Sequence, residues 1–277
     1  MSQPTKATEL FRDYSTTTPQ KQAIAAHYRK MREHQTVDYV RRMKSKYLTF
    51  SHPLHVWQAM EELNALVDVS DPDIALPNTH HLLQTAEALR ADNRPDWMLL
   101  VGLLHDLGKV MFLWGCDEDG TSIAQQFGLV GDIFVVGCSL PDSVVFPEFN
   151  ALNPDMADPR YNTELGQYEP HCGLDKLELA WGHDEYLYQV LKNHKACTIP
   201  QEGLVMIRYH SFYPWHTGGA YKALLNPATD DKYLELIRDF NKSDLYSKVD
   251  KPFDMAALKE YYQGLIEKYL GTEPIHF

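Results

Sequence analysis

The sequence predicts an all-α bundle interrupted by one long, loop-rich excursion. Apolar residues recur at helical spacing over most of the chain outside 113–173. The stretch 113–173 is instead rich in Gly, Pro, Asn and Asp, with only short β-like pieces at Ile133–Val136 and Ser143–Phe146. The chain has 277 residues, 44% hydrophobic and 23% charged, which is ordinary globular usage and enough chain for a sizeable core.

The elements follow in order. Residues 1–18 read as a loosely ordered segment, and Pro19 suits a first helical turn. From Gln20 to about Tyr47 the periodic residues Ile24, Tyr28, Met31, Val37, Val40 and Met43 predict one long helix. A second helix is expected from Leu54 to Val67, broken by Ser70-Asp71-Pro72. Asn78 is a candidate cap for a helix over Thr79–Arg90. Pro95 opens a helix over Asp96–Phe112, apolar nearly all round through Leu99, Leu100, Val101, Leu103 and Leu104, and so expected to be buried. The excursion carries at most a small β-hairpin, and long structured loops are often functional. Helices resume at about His183–Asn193, Glu202–Phe212, Lys232–Asn241 and Met255–Tyr269. With no repeat, low-complexity stretch or linker, a single domain over 1–277 is the simplest organisation, expected to act as a monomer.

Composition narrows the function. A net charge of −12 repels phosphate backbones and argues against nucleic-acid binding. No apolar run is expected to cross a bilayer, and Met1–Phe11 lacks the apolar core of a secretory signal, so a cytoplasmic protein with no membrane partner is expected. The four cysteines form no C-x-x-C pair and read as reduced structural thiols. The 13 histidines are a surplus, and they point toward metal.

The most telling tandem is His105-Asp106, at the end of the strongly apolar helix in Leu103-Leu104-His105-Asp106-Leu107-Gly108-Lys109. Burying a carboxylate there costs several kcal/mol unless a cation or strong donors satisfy it. Other candidates are His81 on the preceding helix, His183 at a helix start, His210, and Asp244 on a late helix. Each has a plainer reading. His80 competes with His81, although helical phase aligns His81 with Thr85 and Ala88. His183 could simply open a helix, and His210 could be a core histidine. Lys109 follows His105-Asp106 by one turn and points into the same pocket, or it is a surface lysine favoured by a helix C-terminus.

The order His … His-Asp … Asp resembles the HD-domain metalloproteins, whose helical bundles converge such side chains on one centre. His183 and His210 would complete a second metal position, and four imidazoles with two carboxylates, Asp106 shared, suit first-row transition ions better than zinc. Longer segments narrow the resemblance: Phe11-Arg12-Asp13-Tyr14, His34 to Asp38, Asp71-Pro72-Asp73 through Glu87, Leu103 to Val110, Val130-Gly131-Asp132, Trp181 to Tyr188, Tyr209 to Gly219, Asn241 to Lys248 and Tyr261 to Leu265. Over these the chain resembles the myo-inositol oxygenase family, di-iron members of the HD-domain superfamily.

That resemblance implies an HD-domain-like bundle that cleaves the ring of myo-inositol with O2 to give D-glucuronate, a four-electron oxidation without nicotinamide or flavin. It implies two iron ions per chain, working as a mixed-valent Fe(II)/Fe(III) pair. His81, His105, Asp106 and Asp244 would hold one iron, Asp106 would bridge, and His183 and His210 would hold the other. Arg12, Asp68, Ser70, Lys109, Gly131, Asp132, His210 and Ser211 match positions that contact substrate in the family, with Lys109 and Asp106 in catalytic roles. A neutral polyol offers no charge to grip, so chelation and directed hydrogen bonds make physical sense. A lysine near such a centre is a donor to a substrate oxygen and can assist proton transfer. The segment Leu113–Leu129 looks longer than in animal members, and Asp68-Val69-Ser70 has valine at its middle position. Two other readings stand beside this one. An HD phosphohydrolase would use the same ligand order, although few cations accompany Lys109 and the aromatic run His210–His216 has no phosphate use. A scaffold with a vestigial core is opposed by six intact ligand positions.

Overall fold

The computed structural model describes residues 18–71, 77–246 and 254–277. Helix α1 spans Pro19–His34, with the Thr18 hydroxyl accepting from the Lys21 amide at 3.3 Å. The single helix expected to Tyr47 is two, because α2 spans Val37–Tyr47. The break falls at Gln35, fully buried, whose side chain donates to the carbonyls of Phe127 and Trp181 and accepts from the Trp181 amide, each at 2.8 Å. Three bonds to distant backbone outweigh the one intrahelical bond that continuation would add. Thr36 then caps α2 through Tyr39 N.

Helix α3 spans Val56–Glu62 and is shorter than expected, giving way to a 3-10 turn at Leu63–Ala65. Asn78 is not a cap. It lies inside α4, Asn78–Ala91, and its Nδ2 donates to the carbonyls of Leu63 and Leu66 at 2.9 and 2.6 Å, stapling the end of that turn to α4. Helix α5 spans Asp96–Leu104, followed by a 3-10 segment over Leu107–Trp114. The stretch Asp96–Trp114 is, contrary to expectation, long and apolar enough to cross a bilayer by length and composition, with a mean hydropathy of 1.4. Most of it is buried in the protein's own core, and its regular helix stops at His105-Asp106.

The chain continues through α6 (His183–Asn193), α7 (Gln201–Tyr209), the short α8 (Tyr213–His216), α9 (Pro227–Tyr246) and α10 (Met255–Leu270). The only strands among the described residues are β1, Pro53–Leu54, and β2, Ile275–His276, paired antiparallel. No hairpin forms in the excursion. Val135 makes an isolated bridge with Leu179, and the Pro147–Leu152 and Pro154–Ala157 stretches are 3-10 turns.

One cluster of buried apolar side chains runs through the described residues. Helix α5 packs on α4, α7 and α10, α6 packs on α7 and on the 3-10 segment, and α9 lies across α4 and α7. The 3-10 segment approaches α6 backbone to backbone: a Cβ on Gly108 would sit 2.2 Å from the His183 carbonyl oxygen. Only glycine allows that approach, which brings the end of α5 and the start of α6 together.

Candidate metal centre

His81 comes from α4, His105 and Asp106 from the junction after α5, His183 from the first turn of α6, His210 from the residue closing α7, and Asp244 from α9. All six side chains converge, and none is more than 8% exposed. They form two sets around Asp106, with His81, His105 and Asp106 in one and Asp106, His183 and His210 in the other. Asp106 Oδ2 lies 3.8 Å from His81 Nε2 and 3.7 Å from His105 Nε2. Its Oδ1 lies 3.1 Å from His183 Nε2 and 3.7 Å from His210 Nε2. Asp244 Oδ1 completes the first set, 3.0 Å from His81 Nε2 and 3.3 Å from His105 Nε2.

The rings are aimed by backbone. Nδ1 of His105 donates to Gly102 O at 2.9 Å, that of His183 to Leu129 O at 2.8 Å, and that of His210 to Ile207 O at 2.9 Å. A carbonyl can only accept, so each Nδ1 carries the proton and each Nε2 presents its lone pair to the centre. Two further contacts hold the frame. Glu185, two residues after His183, accepts from Arg208 Nε at 2.7 Å, two residues before His210. The His210 carbonyl accepts from Asn241 Nδ2 on α9 at 3.0 Å and from His216 Nε2 at 3.0 Å.

The charges favour a cation. Burial alone would raise Asp106, yet the Lys109 ammonium and the surrounding imidazoles hold it well below the usual carboxylate range. Burial opposes ionisation of Asp244 in the same way, and His105 and His81 hold it well below its ordinary value. Burial would lower His105, but Asp106 and Asp244 raise it. Two carboxylates that favour positive charge on their neighbours, four imidazoles and no thiolate in either set are a donor set for first-row transition ions.

Lys109 is no surface lysine. It is 4% exposed, and its Nζ donates to Asp106 Oδ2 and Asp68 Oδ2, both at 2.8 Å. Burial would raise Asp68, but Lys109 and then Ser70 bring it down to about 2. Asp68 Oδ1 accepts from Ser70 N at 2.8 Å and Ser70 Oγ at 2.6 Å. Asp68 and Ser70 thus reach the centre through Lys109. Gly131 has φ +109°, where a Cβ would meet Met31 Sδ at 2.5 Å, so the turn requires glycine. Asp132, buried beside it, accepts from Tyr28 OH at 3.2 Å. Ser211 follows His210, and its amide donates to Asp184 Oδ1 at 3.3 Å. Arg12 lies outside the described residues.

Asp184 is the residue that sequence reasoning missed. It is fully buried, with Oδ1 3.1 Å from His210 Nδ1 and Oδ2 3.5 Å from His183 Nε2, and Oδ2 has no hydrogen-bond partner. The available signal was its place beside His183 inside Trp181-Gly182-His183-Asp184-Glu185. Carboxylates commonly orient metal-ligating imidazoles from behind.

The family model described as myo-inositol oxygenase matches residues 21–277. The chain is 48% identical over 267 residues to the inositol oxygenase of Mus musculus, covering 95% of this chain and 90% of that one. It is 48% identical over 262 residues to that of Homo sapiens, covering 94% and 88% respectively. It is 43% identical over 274 residues to that of Dictyostelium discoideum, covering 97% and 90%. The chain belongs to the myo-inositol oxygenase family.

Proposed function

We propose that the two side-chain sets around Asp106 hold a pair of iron ions on which the chain opens the ring of myo-inositol to D-glucuronate. The chain is an inositol oxygenase by family. The irons work as a mixed-valent Fe(II)/Fe(III) pair. The overall reaction balances as one inositol and one O2 giving one glucuronic acid and one water, with four electrons passing from the ring to dioxygen. One observation carries the reading: a single buried carboxylate turns one oxygen to His81 and His105 and the other to His183 and His210.

When bound, iron supplies Lewis acidity toward substrate hydroxyls and the one-electron steps that dioxygen requires. The residues do the rest. His81, His105 and Asp244 would hold one ion, His183 and His210 the other, and Asp106 both. Lys109, protonated because its two carboxylate partners outweigh burial, is a fixed donor beside the centre for a substrate oxygen. Asp68, Ser70, Gly131, Asp132 and Ser211 supply the directed contacts that a neutral polyol needs, and Arg12 is proposed with them. Burial of the whole set keeps bulk water from the reacting atoms.

The test is to load the protein with ferrous iron under reducing conditions, add myo-inositol, and record oxygen uptake and glucuronate together. One-to-one uptake and product is expected. No uptake by protein shown to hold two irons per chain would overturn the reading.

A further inference from the structure

We infer that Gln126 is a positioning residue for the Asp68–Lys109 pair, holding in place the chain segment that carries Asp68. Gln126 lies in the loop segment 113–129 and is 4% exposed. Its Nε2 donates to Val67 O at 3.0 Å and to Ile123 O at 2.9 Å, while its Oε1 accepts from Val69 N at 3.2 Å. Both amide hydrogens and the amide oxygen are therefore engaged. Two of the three bonds fall on the residues immediately before and after Asp68.

The segment has little else to hold it there. Leu66 and Ser70 are buried at its two ends, but between them the side chains of Val67 and Val69 are 73% and 37% exposed. Apolar burial cannot fix a backbone whose apolar side chains face water. The hydrogen bonds to Gln126 do so, and they set where the Asp68 carboxylate meets the Lys109 ammonium. The other end of Gln126 is tied to the second histidine set. Its own carbonyl accepts from Leu129 N at 2.9 Å and Val130 N at 3.1 Å, and Leu129 O accepts from the His183 ring. Gln126 thus fixes Asp68 relative to His183 across the loop. The inference rests on the reading of Asp68 and Lys109 as groups that face inositol.

The test compares Gln126→Met, which keeps the length and loses all three bonds, with Gln126→Glu, which keeps the acceptor for Val69 and loses the donors. Gln125→Ala, at the neighbouring half-buried residue, is the control. In Gln126→Met, hydrogen exchange at the Val69 amide should speed by on the order of tenfold or more. KM for inositol should rise about tenfold, with kcat within about threefold and iron content unchanged. In an Asp68→Asn background the same change should add nothing to KM, because Gln126 acts through Asp68. Unchanged exchange and KM would overturn the inference, and so would an equal fall in kcat and stability with no rise in KM. If Gln126→Met does not fold, Gln126→Glu, which still loses the bond to Val67, must raise KM for the inference to stand. A wild-type protein that fails to turn over inositol would remove the substrate reading instead, and Val69 exchange would then decide alone whether Gln126 holds the segment.

Discussion

The Lys109 ammonium lies 2.8 Å from Asp106 Oδ2, the same carboxylate oxygen that faces His81 and His105. Lys109 thus shares a ligand atom with the first histidine set without being a ligand itself. Replacing it by methionine, of similar length, removes the donor and leaves all six candidate metal ligands intact. Lys109→Met should keep its metal and lose turnover by on the order of 100-fold. Metal analysis beside steady-state kinetics checks this, and near-normal turnover would remove Lys109 from the chemistry. Because Lys109, with Ser70, brings Asp68 down to about 2, the variant should also raise the pKa of Asp68 and weaken its grip on substrate.

How much of this was legible in the sequence depends on the range of the interaction. The helices with long apolar periods, α6 and α10 among them, were legible because their own spacing writes the buried face. His105-Asp106 was legible because a carboxylate ending an apolar helix demands a cation. The break at Gln35 was not, because its cause lies at residues 127 and 181, and locally glutamine is a good helix former. Asn78 looked like a cap for the same reason: its partners, Leu63 and Leu66, belong to another element. The β-like piece at Ile133–Val136 suggests at most a small hairpin within the excursion, but Val135 pairs with Leu179 beyond it. Asp184 was hidden differently. An acidic residue in a first helical turn is what the helix dipole favours anyway, so nothing in the sequence separates that role from orienting His210.

The position of Asp184 leads to a graded expectation. His210 Nδ1 has two acceptors, Ile207 O at 2.9 Å and Asp184 Oδ1 at 3.1 Å. Asp184→Asn removes the charge but keeps an oxygen for Ser211 N. With Ile207 still aiming the ring, metal affinity of the His183–His210 set should fall by about tenfold, the low end for such partners. Affinity at the His81–His105–Asp244 set should not change. Metal titration that resolves the two sets tests this, and equal affinities in wild type and variant would make Asp184 a structural residue only.

His27 predicts a pH dependence of stability outside the centre. It is 7% exposed, and its Nε2 donates to Val130 O at 3.2 Å, on the turn that carries Gly131. Burial lowers its pKa from 6.5 to about 4, against a smaller opposing pull from Asp68 and with Lys30 adding to the fall. The folded value is depressed, so the unfolded chain binds the proton first as pH falls. The stability is fully present above pH 6.5 and is lost progressively toward pH 4. Between pH 7 and pH 5 this one group should cost about 2 kcal/mol. The depressed carboxylates Asp68, Asp106 and Asp244 lose their contribution only at lower pH, below the ordinary carboxylate range. His105 and His210, whose values are raised, work in the opposite sense, contributing below their unfolded value and losing it as pH rises. These terms are common to wild type and His27→Gln, which keeps a donor for Val130 O, so they cancel in the comparison. Urea unfolding at pH 7 and pH 5 should therefore show a smaller acid loss in His27→Gln than in wild type. Equal losses in the two proteins would mean that His27 titrates alike in the folded and unfolded chain, and that its burial carries no linked proton.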